Sequence, residues 1–96
     1  AFNRALEINP EYIAALNNRG NAKKHLRKTS AAILDYSEAL KIDPDYLPSL
    51  KNISSCYEVK KDYIRCLGAL RRVATLEPTS FDVLCKIIYF IFVIVI

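Results

Sequence analysis

The chain has 96 residues, of which 52% are hydrophobic, and 14 Lys and Arg against 10 Asp and Glu leave a net charge of +4. That length bounds it to one domain with ample apolar content for a core. Two glycines leave no Gly-rich phosphate loop, and three cysteines, spaced 10 and 19 apart with neither a C-x-x-C pair nor paired histidines, support no zinc or redox motif. With no Ser/His/Asp or Cys/His set in a supporting context, no constellation supports catalysis and no cofactor is expected. Free thiols suit a reducing, cytoplasmic compartment.

Residues 1–10 read as the second helix of a truncated repeat, with Phe2, Ala5, Leu6 and Ile8 facing inward and Pro10 behind them. The chain thus begins inside a helix and reads as a piece of a longer array. Residues 11–46 follow as a complete unit. Leu16, Gly20, Ala22, Lys23 and Leu26 fall at helical steps, as do Ala32, Ile33, Tyr36, Ala39 and Leu40, predicting helices over 12–26 and 30–42. Lys28-Thr29-Ser30 breaks the pattern, and Ser30 is placed to cap the second helix. Pro44 closes it, because it lacks an N–H and disfavours helix at Asp43. The small residues Gly20, Ala32 and Ala39 stand where two helix backbones must approach closely.

Residues 47–80 repeat this unit in a more degenerate form, with helices expected over 46–59 and 63–76. Pro48 is tolerated in a first turn, where the N–H groups are spare, and Gly68 costs the last helix about 1 kcal/mol relative to Ala. Pro10, Pro44 and Pro78 are 34 residues apart both times, and Phe2, Tyr36 and Leu70 align with them, as do Ile8, Ile42 and Leu76. A fixed period of this size marks stacked supersecondary units that have no single core. Residues 81–96 differ. After Phe81-Asp82-Val83-Leu84-Cys85-Lys86, ten uncharged residues run from Ile87 to Ile96. Three readings stay open: a degenerate closing helix, a truncated membrane span starting near Ile87, or an artefactual tail. Ten residues fall short of the roughly 18–20 that cross a bilayer, and a helix apolar all round needs cover on every side.

The residues Leu16, Asn18-Arg19-Gly20, Ala22, Leu26, Ala32-Ile33, Asp35-Tyr36, Ala39-Leu40, Ile42-Asp43-Pro44 and Tyr46 resemble the tetratricopeptide repeat (TPR) family, in its N-R-G subtype. The resemblance spans residues 1–80. Lys23 and Thr29 depart from the aromatic residues usual there, and the next copy restores both as Tyr57 and Tyr63 but carries Ser54 for Gly and Cys66 for Ala. It implies an all-α fold, helix–turn–helix repeats stacked as a right-handed α-solenoid whose first helices line a concave groove. It implies a protein–protein interaction scaffold that takes an extended or helical segment of a partner.

The candidate peptide-binding residues on these first helices are Asn17, Asn18, Asn21 and Lys24, then Lys51, Asn52 and Ser55, and lastly Lys86. An asparagine amide offers both donor and acceptor and can mimic a strand partner for an extended peptide. The basic clusters around Lys23-Lys24-His25, Lys60-Lys61 and Arg71-Arg72 carry no interleaved aromatics, which argues against nucleic acid and for a partner with an acidic segment. Some TPR domains, co-chaperone-like, grip an acidic C-terminus with a two-carboxylate clamp. Against that pattern Asn21, Asn52 and Lys86 are in place, but Asn17 stands where a Lys belongs and Asp82 where a basic residue belongs. Two alternatives accompany the scaffold reading: a recognition array of a larger enzyme whose catalytic part lies elsewhere, and a membrane-associated adaptor anchored through 87–96.

Overall fold

The computed structural model describes residues 10–95, and the segment 1–9 read above as a helix lies outside them. Five helices follow in order: α1 (Pro10–His25), α2 (Thr29–Ile42), α3 (Leu47–Val59), α4 (Tyr63–Leu76) and α5 (Phe81–Val95). No strand occurs among the described residues. Each helix packs antiparallel on the next, and α1 also touches α3, so the chain is an all-α stack of helical hairpins.

The turns repeat as faithfully as the helices. After α1, the Lys28 N–H donates to the Lys23 carbonyl at 2.8 Å and that of Arg27 to Lys24 at 3.0 Å, with Arg27 at φ 62°. After α3, Asp62 donates to Tyr57 at 2.9 Å and Lys61 to Glu58 at 3.0 Å, with Lys61 at φ 62°. This paired 6→1 and 5→2 closure with a left-handed residue is the Schellman motif. The other turns match too: the N–H groups of Asp43 and Glu77 donate back to Ala39 and Val73, and those of Tyr46 and Ser80 to Asp43 and Glu77. Pro44 and Pro78 then prevent either helix from continuing. Pro48 sits in the first turn of α3, where its missing N–H costs nothing.

The cap of α2 differs from expectation. Its N-cap is Lys28, with no side-chain hydrogen bond, and Ser30 Oγ instead accepts from Lys60 Nζ at 2.6 Å. The Schellman closure ends on residue 28, so the helix begins before Ser30 can serve. The second copy does carry a working cap there, as the Asp62 carboxylate accepts from the Arg65 N–H at 3.3 Å.

Burial runs along the stack in three linked clusters. Ile13, Leu16 and Ala39 form the first, Ala32, Tyr36, Ile53 and Cys56 the second, and Leu50, Cys66, Leu70, Val73, Val83 and Phe90 the third. Leu26 and Ala22, two positions of the helical pattern noted above, are exposed where the chain turns at 26–28. Gly20 is small for a different reason than expected. It admits the ring of Tyr36, a side chain, rather than a neighbouring backbone.

The tail is helical and only one side of it is covered. Val83 and Phe90 are buried, Ile87 packs beside them, and Phe90 stacks on Tyr63 with ring centroids 5.6 Å apart. Phe81, Ile88, Tyr89 and Phe92 are exposed. Among the described residues no helix is long and apolar enough to cross a membrane.

Candidate functional site

The first helices α1 and α3 are joined by a ladder of amides. Asn52 spends both hydrogens of its Nδ2, donating to Asn17 Oδ1 at 3.2 Å and to Asn21 Oδ1 at 3.0 Å. The Ser49 hydroxyl donates to Asn17 Oδ1 at 2.8 Å, and the Tyr36 hydroxyl donates to Asn21 Oδ1 at 2.5 Å. Residues from α1, α2 and α3 therefore meet in one network. Tyr36 is fully buried, and that burial pushes its phenol up to about 12, so it remains a donor at any ordinary pH.

The ladder is incomplete on its outer side. Asn17 Nδ2, Asn21 Nδ2 and Asn52 Oδ1 form no hydrogen bond among the described residues, yet no buried side-chain nitrogen or oxygen there lacks a partner. Asn17 is 7% exposed, and Asn21 and Asn52 are half-buried. Two donors and one acceptor, held in place by bonds on their inner side, match the alternating groups of an extended backbone.

The other candidate residues are placed around this ladder rather than within it. Asn18 is exposed on α1, Ser55 is half-buried on α3, and Lys86 is exposed on α5. Lys51 pairs with Glu77 at 3.0 Å, so an incoming carboxylate would compete for it. Lys24 lines a cleft of about 420 Å³ with Arg27, Thr29, Cys56 and Val59, towards the turn end of the helices. Asp82 is exposed four residues before Lys86, leaving one charge of each sign on α5. Among the described residues no group of His, Cys, Asp and Glu could hold a metal ion.

Two features escaped the sequence reading. Ser49 and Tyr36 complete the ladder, although neither lies on the polar face of a first helix. Beside it, Asp35 is 3% exposed and accepts from Arg19 at 3.0 and 2.8 Å, while Lys23 Nζ lies 3.0 Å away. The Arg19 guanidinium, more than the Lys23 ammonium, holds this carboxyl below the ordinary value of 3.8, against the opposing effect of burial. Lys23, which departs from the usual aromatic, thus has an ionic use here. A pairing of Lys23 with Asp35, twelve residues on, was the available signal.

A family model described as tetratricopeptide repeat matches residues 13–46, the α1–α2 unit with its turns. Residues 13–46 are similar to a tetratricopeptide repeat. A solved structure, the first TPR of Spaghetti (RPAP3) bound to the HSP90 peptide SRMEEVD, superimposes with a TM-score of 0.81 at 17% identity, covering 97% of this chain and 76% of that one. The described helices therefore have the fold of a TPR array. No curated protein sequence matches the chain. The amide ladder bridges the first helices of two successive hairpins of this fold.

Proposed function

We propose that the face formed by α1, α3 and α5 binds an extended segment of a partner protein. The observation that carries this is the outer edge of the amide ladder: Asn17 Nδ2, Asn21 Nδ2 and Asn52 Oδ1 are fixed in position and unpaired. Such groups lose little freedom on binding, since their rotamers are already held by Ser49, Tyr36 and one another. The exposed Lys86 and the half-buried Lys24 add attraction for an acidic segment, so binding weakens as salt screens them. The likeness to a domain solved with an acidic peptide supports a peptide partner. A free C-terminal carboxylate is the weaker fit, because Asn17 replaces a lysine of the clamp and Asp82 is negative.

Titration with acidic peptides, SRMEEVD and internal sequences among them, tests this through the side-chain amide NMR signals of Asn17, Asn21 and Asn52. Replacing Asn21 and Asn52 together by Ala should cost about 1–3 kcal/mol of binding if both bond peptide groups. Tyr36→Phe separates the roles, since it removes an inner bond of the ladder and leaves the outer atoms intact. If the double variant keeps its fold and binds as tightly as wild type, the groove assignment is wrong and the convex face becomes the candidate.

A further inference from the structure

The stack gathers unpaired cations at one end. Because successive helices run antiparallel, the turns at 26–28 and 60–62 share one end and those at 43–46 and 77–80 the other. The first end carries Lys24, Arg27, Lys28, Lys60 and Lys61. None of these five forms an ion pair among the described residues, and Lys60 meets only the Ser30 hydroxyl. Its acids are Glu58 and Asp62, the latter turned to Arg65. The opposite end is mixed, with Asp43, Asp45, Glu77 and Asp82 beside Lys41, Lys51, Arg71 and Arg72, and two of the acids pair with Arg72 and Lys51.

Helix α5 starts at the mixed end and finishes at the basic one. Phe81 follows Leu47 by one period of 34, so Ile94 and Val95 occupy the positions of Lys60 and Lys61 in the period. The stacking of Phe90 on Tyr63 holds this part of α5 beside the basic turn. Its last residues are exposed in succession: Ile91 46%, Phe92 63%, Val93 37%, Ile94 42% and Val95 76%. Five consecutive helical residues point all round the axis, whereas a docking helix covers only a stripe roughly 100° wide.

We propose that the basic end of the stack docks on an anionic lipid bilayer, with the end of α5 entering the headgroup region and Arg27, Lys28, Lys60 and Lys61 contacting the charged headgroups. A bilayer interface surrounds a helix end as no single partner helix does, and an apolar surface collared by cations is the chemistry it selects. Tyr89, 61% exposed, and Phe92 supply aromatic rings of the kind enriched at that depth. The acidic groups at the far end face away from the membrane.

The full chain is mixed with vesicles of phosphatidylcholine alone or of phosphatidylcholine with phosphatidylserine, and binding is read by co-sedimentation. The proposal expects binding to the anionic vesicles only, weakened by salt. Each basic residue near a charged surface contributes about fivefold, so Lys60→Gln with Lys61→Gln should lower partitioning by roughly tenfold or more. Phe92→Asp with Val95→Asp should abolish it while the circular-dichroism spectrum stays helical. Equal binding to both vesicle types overturns the proposal, because apolar adhesion alone would explain it. So does an absence of binding, as does a concentration-dependent dimer that vesicles leave unchanged, which would assign the α5 surface to a second copy of the chain.

Discussion

The ring of Tyr36 occupies the space that a side chain at Gly20 would need: a Cβ there would lie 2.7 Å from Cε1 and 2.9 Å from Cδ1. Gly20→Ala should therefore destabilise the fold, although alanine is the better helix former by about 1 kcal/mol. Overpacking costs typically about 1–3 kcal/mol, which wins because Tyr36 is fully buried and has nowhere to go. The second copy has Ser54 and Leu70 at the equivalent positions, a larger residue facing a smaller one. Gly20→Ser with Tyr36→Leu should accordingly lose less stability in urea than Gly20→Ser alone. Gly68 is the control: nothing lies within 4 Å of its Cβ position, so Gly68→Ala should stabilise by up to about 1 kcal/mol.

The turns offer two gains. Arg27 and Lys61 each hold φ 62°, a conformation that favours glycine. Arg27→Gly and Lys61→Gly should each stabilise by about 1 kcal/mol, read as a rise in melting temperature. Lys28 is an N-cap without a capping bond and places a cation at the positive end of α2. Lys28→Asp copies Asp62 of the next repeat and should add about 1 kcal/mol.

Thiol chemistry checks the packing independently. Cys56 and Cys66 are 0% and 1% exposed, and burial pushes the Cys66 thiol up to about 11 and the Cys56 thiol upwards as well. Cys85 is exposed. A disulfide reagent at mildly alkaline pH should titrate one thiol quickly and the other two only on unfolding. Cys85→Ser should remove the fast phase, whereas fast reaction of all three would contradict the core described here.

What could be read from the chain followed the range of the interactions. The period, the prolines and the small positions are local signals, and the described helices fall within two residues of their expected bounds. The TPR fold was legible for that reason. The amide ladder was legible only as a set of candidates, since whether Asn52 reaches Asn17 and Asn21 depends on how α3 lies against α1. Ser49 and Tyr36 entered it unannounced, from a helix start and from a second helix. The cap at Ser30 failed because the choice between residues 28 and 30 is made by the turn's closure, which no single residue type announces.

The largest difference between the two repeats is an ionic set exchanged for an apolar one. Arg19, Lys23 and Asp35 in the first copy stand where the second has Ile53, Tyr57 and Ala69, which pack together in the core. The charged version ties stability to pH. Since the folded state holds Asp35 below its ordinary value of 3.8, the unfolded chain binds the proton more readily. The contribution is therefore complete above about that pH and is lost as the pH falls through the lower folded value. Asp35→Asn should lower stability at neutral pH and flatten this acid limb, as measured by urea unfolding across the range. Replacing one member leaves charges without their partner, whereas replacing all three by packed apolar residues is often neutral or stabilising. Arg19→Ile, Lys23→Tyr and Asp35→Ala together should thus keep the melting temperature at or above wild type at neutral pH and remove the same acid limb. If the triple variant is less stable than Asp35→Asn alone, the two repeats do not share interchangeable packing at these positions.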